Sequence, residues 1–183
     1  GIKPDGVGFH HNSQHISYLY AYTIWINRAF ELKGTPFKIS TAAYNNMKLA
    51  IKSLFLETSN GLIFPHSASG RSPFQASVPV NTTTVDRLVQ VGGDLIGAST
   101  EPDLAAFYNY IFKVNRYAVP TVNADGYYQL NYGQTGIMRR NNWVAVARGL
   151  TSRMFGAEIY AGANRYGRYQ SYGALEVLYD GSL

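Results

Sequence analysis

Residues 10 to 18, HHNSQHISY, place three of the chain's four histidines and a tyrosine in one short stretch. If the stretch is helical, His11, His15 and Tyr18 stand at i, i+4 and i+7, above one another on one face. Three readings suit such a face. His11 and His15 have the spacing of a helical zinc pair, with Asp5 available as an oxygen donor, yet no glutamate follows His11 as an HExxH site requires. A histidine and a tyrosine in one cleft could instead move protons as an acid–base pair. The histidines could also simply cap or line a buried helix. Spacing alone leaves all three open.

Two later stretches carry further candidates. HSASGRSPF, residues 66 to 74, reads as a loop between helices. Its Arg71 is either a solvated loop cation or a fork that grips a carboxylate through two hydrogen bonds. In EIYAGANRYGRYQSYG, residues 158 to 173, Glu158 projects from the strand face opposite Ile159. An exposed strand glutamate would be ordinary there. Less ordinary are Arg165, Arg168 and four tyrosines in the same stretch, because rings and guanidinium forks suit sugar rings and acidic groups.

The elements that must position these groups change type along the chain. HISYLYAYTIWINRAFELKG has apolar residues on nearly every side, so a helix buried all round is expected, stopped by Gly34 and Pro36. STAAYNNMKLAIKSLFLE is helical in period behind a Ser40/Thr41 cap. TTVDRLVQVGGDLIGAS puts Val85, Leu88, Val89, Leu95 and Ile96 on one stripe, with Gly97 near its end. TEPDLAAFYNYIFK is expected to start at a Thr100 cap, with Pro102 in the first turn and Asp103 completing a capping box. From about Tyr117 the period becomes two. GYYQLNY, TGIMRR, NWVAVARGL, RMFGAEIYAG and YQSYGALEVLY give about five strands, with Asn141-Asn142 as a hairpin turn. Helices followed by strands indicate an α+β fold or two domains.

Composition narrows the class. Forty-six per cent hydrophobic residues without a low-complexity tract indicate a folded chain. Sixteen basic against eleven acidic residues give a net charge of +5, which fits an anionic partner. Apart from Arg139 and Arg140 the basic residues are scattered singly, so only the net charge and the Tyr/Arg stretch speak for nucleic acid, and none is expected. No cysteine is present, which excludes disulfides and thiolate zinc sites. No apolar run reaches the length of a membrane span. The opening GIKPDG lacks an initiator Met and a signal-peptide pattern, and ALEVLYDGSL closes directly after a strand, so a fragment of a larger protein is expected.

DGVGFHHNSQHISYLYAY, GRSPF and EIYAGANRYGRYQSYG resemble, in order and spacing, motifs of the broad-specificity chondroitin sulfate ABC lyases. Those enzymes form part of the larger family of chondroitin AC, hyaluronan and xanthan lyases. The resemblance spans most of the chain but is dense only in these segments. It implies the end of a helical α/α toroid over 1–115, followed over 116–183 by the first strands of an antiparallel β-sandwich domain. It also implies that His11, Tyr18, Arg71 and Glu158 are catalytic, while His10 and Arg165 bind substrate. His15 has no counterpart role. The AC and hyaluronan branch has a slightly longer His-to-Tyr spacing, which tilts this chain to the ABC type.

The activity so implied is β-elimination in an acidic glycosaminoglycan, outside the cytoplasm in a secreted or periplasmic protein. The polysaccharide and the other parts of the parent lyase chain are then the partners. No cofactor or metal site is assigned within this sequence, and a divalent cation elsewhere in the parent protein stays open. A non-catalytic module binding acidic glycans is the alternative from another class.

Overall fold

The computed structural model describes residues 1–8, 19–68, 80–149 and 174–182. Among these residues the chain forms four helices, α1 (Tyr20–Glu31), α2 (Thr41–Leu56), α3 (Thr82–Ile96) and α4 (Pro102–Phe112). Four strands follow, β1 (Gly126–Leu130), β2 (Thr135–Arg140), β3 (Trp143–Arg148) and β4 (Ala174–Tyr179). The architecture is α+β, with helices and strands segregated along the sequence.

Local chemistry sets the helix ends. The Ser40 hydroxyl accepts from the Ala43 amide at 3.2 Å and opens α2 as expected. Asn81 opens α3, accepting from the Thr84 amide at 2.9 Å, and Gly97 closes it in the left-handed region at φ 71°. The α4 cap is Glu101, whose carboxylate accepts from the Leu104 amide at 2.7 Å, not Thr100. Pro102 holds its predecessor in extended backbone, which fixes the boundary at Glu101 and leaves Thr100 one residue outside. Asp103 meets the ammonium groups of Lys48 at 2.8 Å and Lys52 at 3.0 Å, across on α2.

Helix α1 ends at Glu31, ahead of Gly34 and Pro36. It is not buried all round: Tyr22, Ile26 and Ala29 face inward, whereas Tyr20 and Ile24 are more than half exposed. Helix α3 packs against the other three helices, and α2 also meets α4. Gly92 permits this closeness, because a Cβ there would overlap the Tyr44 ring on α2, and Gly93 lets the α3–α4 loop fold back, since a Cβ there would lie 2.6 Å from the Thr100 amide nitrogen. Of the expected α3 stripe, Val85, Leu88 and Val89 are buried, while Ile96 is 58% exposed.

The sheet is an antiparallel meander in the order β1-β2-β3-β4, with Asn141 at φ 54° in the β2–β3 turn. It has four strands among the described residues, and β1 begins at Gly126, where the expected GYYQLNY strand begins. The expected strand in RMFGAEIYAG lies outside the described residues. Leu130, Ile137, Val144, Val146 and Leu178 join the helical side chains in one contiguous core. The other face carries Tyr127, Met138, Trp143, Leu175, Val177 and Tyr179, all exposed, with the Trp143 and Tyr179 rings 4.4 Å apart.

Two aspartates tie the segment between α4 and β1 in place. Asp86 on α3 receives the Tyr117 hydroxyl, the Arg116 guanidinium at 3.2 Å and the Gln90 amide at 2.9 Å. Burial pushes its carboxyl up, but these donors outweigh burial and hold it below the usual aspartate range. Asp125 accepts from the Asn141 amide at 2.9 Å and the Tyr110 hydroxyl at 2.8 Å, and chiefly the Asn141 bond lowers it too. A carboxyl lowered by folding stabilises the fold above its unfolded value, and that stabilisation is lost as pH falls through the folded one. Unfolding free energy is therefore expected to decline as pH drops below about 3.8, the ordinary aspartate value. Chemical denaturation across pH, with Asp86→Asn showing a shallower decline than the wild type, checks this.

Candidate functional site

Three stretches carry all the candidate side chains: 9–18 holds His10, His11 and Tyr18, 69–79 holds Arg71, and 150–173 holds Glu158 and Arg165. All six, and His15, lie outside the described residues. The residues that flank these stretches are placed: those entering the first and third meet at the β1–β2 turn, and those entering the second are fastened to β4.

The first stretch is pinned from both sides. Asp5, weighed above as a metal oxygen donor, is a backbone clamp instead. Its Oδ2 accepts from the amides of Tyr132 at 2.7 Å and Gly133 at 2.9 Å, and its Oδ1 accepts from Val7 at 3.3 Å. Its carbonyl oxygen accepts from the Ser53 hydroxyl at 2.7 Å. The segment before residue 9 is thus held between α2 and the β1–β2 turn. Gly8 lies so near the start of α1 that a Cβ there would come within 2.6 Å of Leu19 Cδ2. Gly8 and Leu19, which flank 9–18, are therefore in contact. Tyr22, the tyrosine that packs on Gly8, has its hydroxyl buried, and burial pushes its ionisation above the ordinary tyrosine value. It stays a neutral phenol and is no candidate base.

The third stretch opens and closes on neighbouring strands. Arg148, at the end of β3, pairs in register with Ala174, the first residue of β4, and with Thr135 on β2. The Gly149 amide donates to the Gln134 carbonyl oxygen at 3.0 Å, beside the turn that Asp5 holds. The second stretch leaves from a 3-10 turn, His66–Ala68, and that turn is fastened to β4. The His66 amide donates to Glu176 Oε1 at 2.8 Å, and the Ser67 amide donates to Oε2 at 2.9 Å.

Beneath these ends lies a buried polar seam between α2 and the sheet. Arg139 donates to the carbonyl oxygens of Leu56 at 2.8 Å and Thr58 at 2.7 Å, satisfying groups that the end of α2 leaves open. Arg148 meets Glu57 at 2.8 Å, with side chains 2% and 0% exposed. Arg139, one half of the chain's sole adjacent arginine pair, is thus an internal strut rather than a surface cation.

Sequence reasoning overlooked Glu176, Arg148 and Glu57. A usable signal existed for two of them. Along β3 and β4 the alternation puts Arg148 in phase with buried Val144 and Val146, and Glu176 in phase with buried Leu178. A charge on the buried phase of a strand calls for a specific partner. Among the described residues, no three His, Asp or Glu side chains are grouped to hold a metal ion, and no helix is long and apolar enough to cross a membrane.

Comparison with known proteins adds the following. The family described as "Lyase, catalytic" matches residues 1–117. The chain is similar to the chondroitin sulfate ABC endolyase of Proteus vulgaris, at 27% identity over 195 residues, covering 100% of this chain and 18% of the relative. It is similar to the chondroitin sulfate ABC exolyase of Bacteroides thetaiotaomicron, at 27% identity over 211 residues, covering 97% of this chain and 20% of the relative. The chain thus spans about a fifth of the length of these relatives. A solved structure of chondroitinase AC lyase, from a study of its oligosaccharide complexes, superposes with a TM-score of 0.73 at 17% identity. That match covers 99% of this chain and 27% of the other, and it establishes the likeness of fold.

The seam yields a stability test. Arg148→Met removes the guanidinium from a fully buried carboxylate, which is expected to cost about 3–5 kcal/mol. Replacing both partners, as Arg148→Met with Glu57→Leu, is expected to regain most of the loss. Urea unfolding midpoints of the wild type, single and double variants check both expectations.

Proposed function

We propose, on the premise that this chain belongs to the family of lyase catalytic domains, that it supplies part of the catalytic cleft of a glycosaminoglycan lyase of the chondroitin ABC type. The observation that carries this reading is that the residues entering the first and third motif stretches meet at the β1–β2 turn, while the turn entering the second is fastened to the strand that follows the third. Side chains borne by segments linked in this way can act on one sugar ring. Similarity to the ABC endolyase and exolyases over nearly the whole chain supports the substrate class. In this reading 1–115 is the end of an α/α toroid, 116–183 begins a β-sandwich domain, and the protein works outside the cytoplasm on chondroitin and dermatan sulfates.

The chemistry follows from the uronate. H5 lies α to the carboxylate, and the uronate's own O4, which carries the neighbouring sugar, leaves from the β position. Such a C–H is far too weak an acid for a side-chain base until the carboxylate is neutralised. Arg71, or His11 as a donor, stabilises the enolate-like charge that develops as H5 departs. A base takes H5, O4 is protonated as the C4–O4 bond breaks, and a C4–C5 double bond remains.

Tyrosine ionises near pH 10 unperturbed, so a base of this type needs a neighbouring cation, the second role given to Arg71. Glu158 orients Arg71 or holds the useful tautomer of His11. In glucuronate H5 and O4 lie on the same side, and Tyr18 serves as base and then acid. In iduronate they lie on opposite sides, so His11 takes the proton and Tyr18 gives one.

Two measurements test the reading. Full-length protein with chondroitin sulfate, dermatan sulfate or hyaluronan is expected to generate the ultraviolet absorbance of a double bond conjugated to a carboxylate. Binding without that signal would identify a glycan-binding module instead. Tyr18→Phe is expected to lower kcat on chondroitin and dermatan by about 10²–10⁴-fold. His11→Ala is expected to remove dermatan cleavage to a similar degree, and full dermatan activity in that variant would overturn the division of labour.

A further inference from the structure

Glu176 stands on the face of β4 turned toward the helices, in register with fully buried Val146, while its neighbours Leu175 and Val177 point outward. A carboxylate on the apolar side of a sheet costs stability unless both oxygens find donors. They find two successive backbone amides, His66 at 2.8 Å and Ser67 at 2.9 Å, 110 and 109 residues earlier in the chain. Charge-assisted bonds of this kind are short and directional, and two from one planar group fix orientation as well as distance.

What they join matters more than what they stabilise. The 3-10 turn ends at Ala68, three residues before Arg71 in the sequence. Strand β4 begins at Ala174, where the stretch that contains Glu158 ends. Further along the same edge, Asn60 donates to Asp180 at 3.2 Å and the Gly181 amide to the Ser59 hydroxyl at 2.8 Å. Those bonds fasten the far end of β4. Glu176 bonds directly to the turn from which the Arg71 stretch departs.

We infer that Glu176 is a positioning residue for the reaction: its carboxylate sets the root of the Arg71 stretch at a fixed place relative to the strand that follows the Glu158 stretch. This inference rests on the lyase reading above. An amide at this position keeps the shape but offers one oxygen, and its NH₂ group then opposes a backbone N–H. The turn can shift by a fraction of an ångström without the fold failing. Catalytic geometry is sensitive on that scale, because a misplacement of about 1 Å can cost about 100-fold in rate.

The test compares Glu176→Gln, Glu176→Asp and, as a control on the outward face of the same strand, Leu175→Ala, all in the full-length protein. Turnover of chondroitin sulfate is read per folded molecule by ultraviolet absorbance, with thermal unfolding measured in parallel. Glu176→Gln is expected to lower kcat about 10–100-fold with KM changed less than about threefold, because binding persists while the reacting groups are misaligned. Leu175→Ala is expected to leave kcat unchanged at whatever stability it loses. If Glu176→Gln does not fold, Glu176→Asp, which keeps the charge but shortens the reach, is expected to show the same kcat loss. Unchanged kcat in whichever Glu176 variants fold, whatever their melting temperature, would overturn the inference and leave the lyase reading intact. A wild-type protein that binds the polymer without forming the double bond would overturn the lyase reading, and this inference with it.

Discussion

Everything positioned in this fold is referenced to the buried junction where the end of α2 meets the sheet. The carbonyls at a helix end are unsatisfied and carry a partial negative charge, so removing them from water demands donors. Arg139 provides them for Leu56 and Thr58, and Arg148 neutralises Glu57 within the same layer. Neither arginine belongs to the helical part of the chain. Sheet and helices therefore bury their polar groups only by docking in one relative placement, since an apolar surface could slide but a fork on named oxygens cannot. Buried ion pairs are weak sources of net stability, and here the pair acts as a device for register.

Around this junction carboxylate acceptors anchor the irregular segments alongside the shared apolar core. Asp5 clamps a strand turn, Glu176 clamps a 3-10 turn, and Asp125 clamps the β2–β3 turn while holding α4 through Tyr110. In each case a carboxylate binds backbone amides in an irregular segment, where ladder partners are lacking. The result is a rigid frame with polar fixings at the points from which the motif-bearing stretches depart.

How much of this was legible depended on how local its cause is. Ser40, Gly97 and the alternation of TGIMRR and NWVAVARGL act through neighbours in sequence, and the elements formed where those signals placed them. The α4 start shifted by one residue because the restraint of Pro102 on Glu101 outranked the capping preference of Thr100. The even spread of apolar residues in α1 suggested burial on all sides, but Tyr20 and Ile24 found no neighbours to cover them. The role of Asp5 could not be read from its surroundings in the sequence, because its partners lie 127 and 128 residues away. The catalytic candidates were legible only as motifs. What the fold adds is the set of long-range bonds that fix where their segments begin, which no single stretch of sequence contains.

The adjacency of Arg148 and Ala174 on paired strands, and of Gly8 and Leu19 at the base of α1, has an evolutionary corollary. When both ends of an excursion are fixed side by side, lengthening it costs little, roughly 0.6 kcal/mol of closure entropy per doubling. Changes of length between such posts are compatible with the observed register of β3 with β4 and with the closeness of Gly8 to Leu19. A scaffold of this kind lets natural variation remodel what it grasps without renegotiating how it folds.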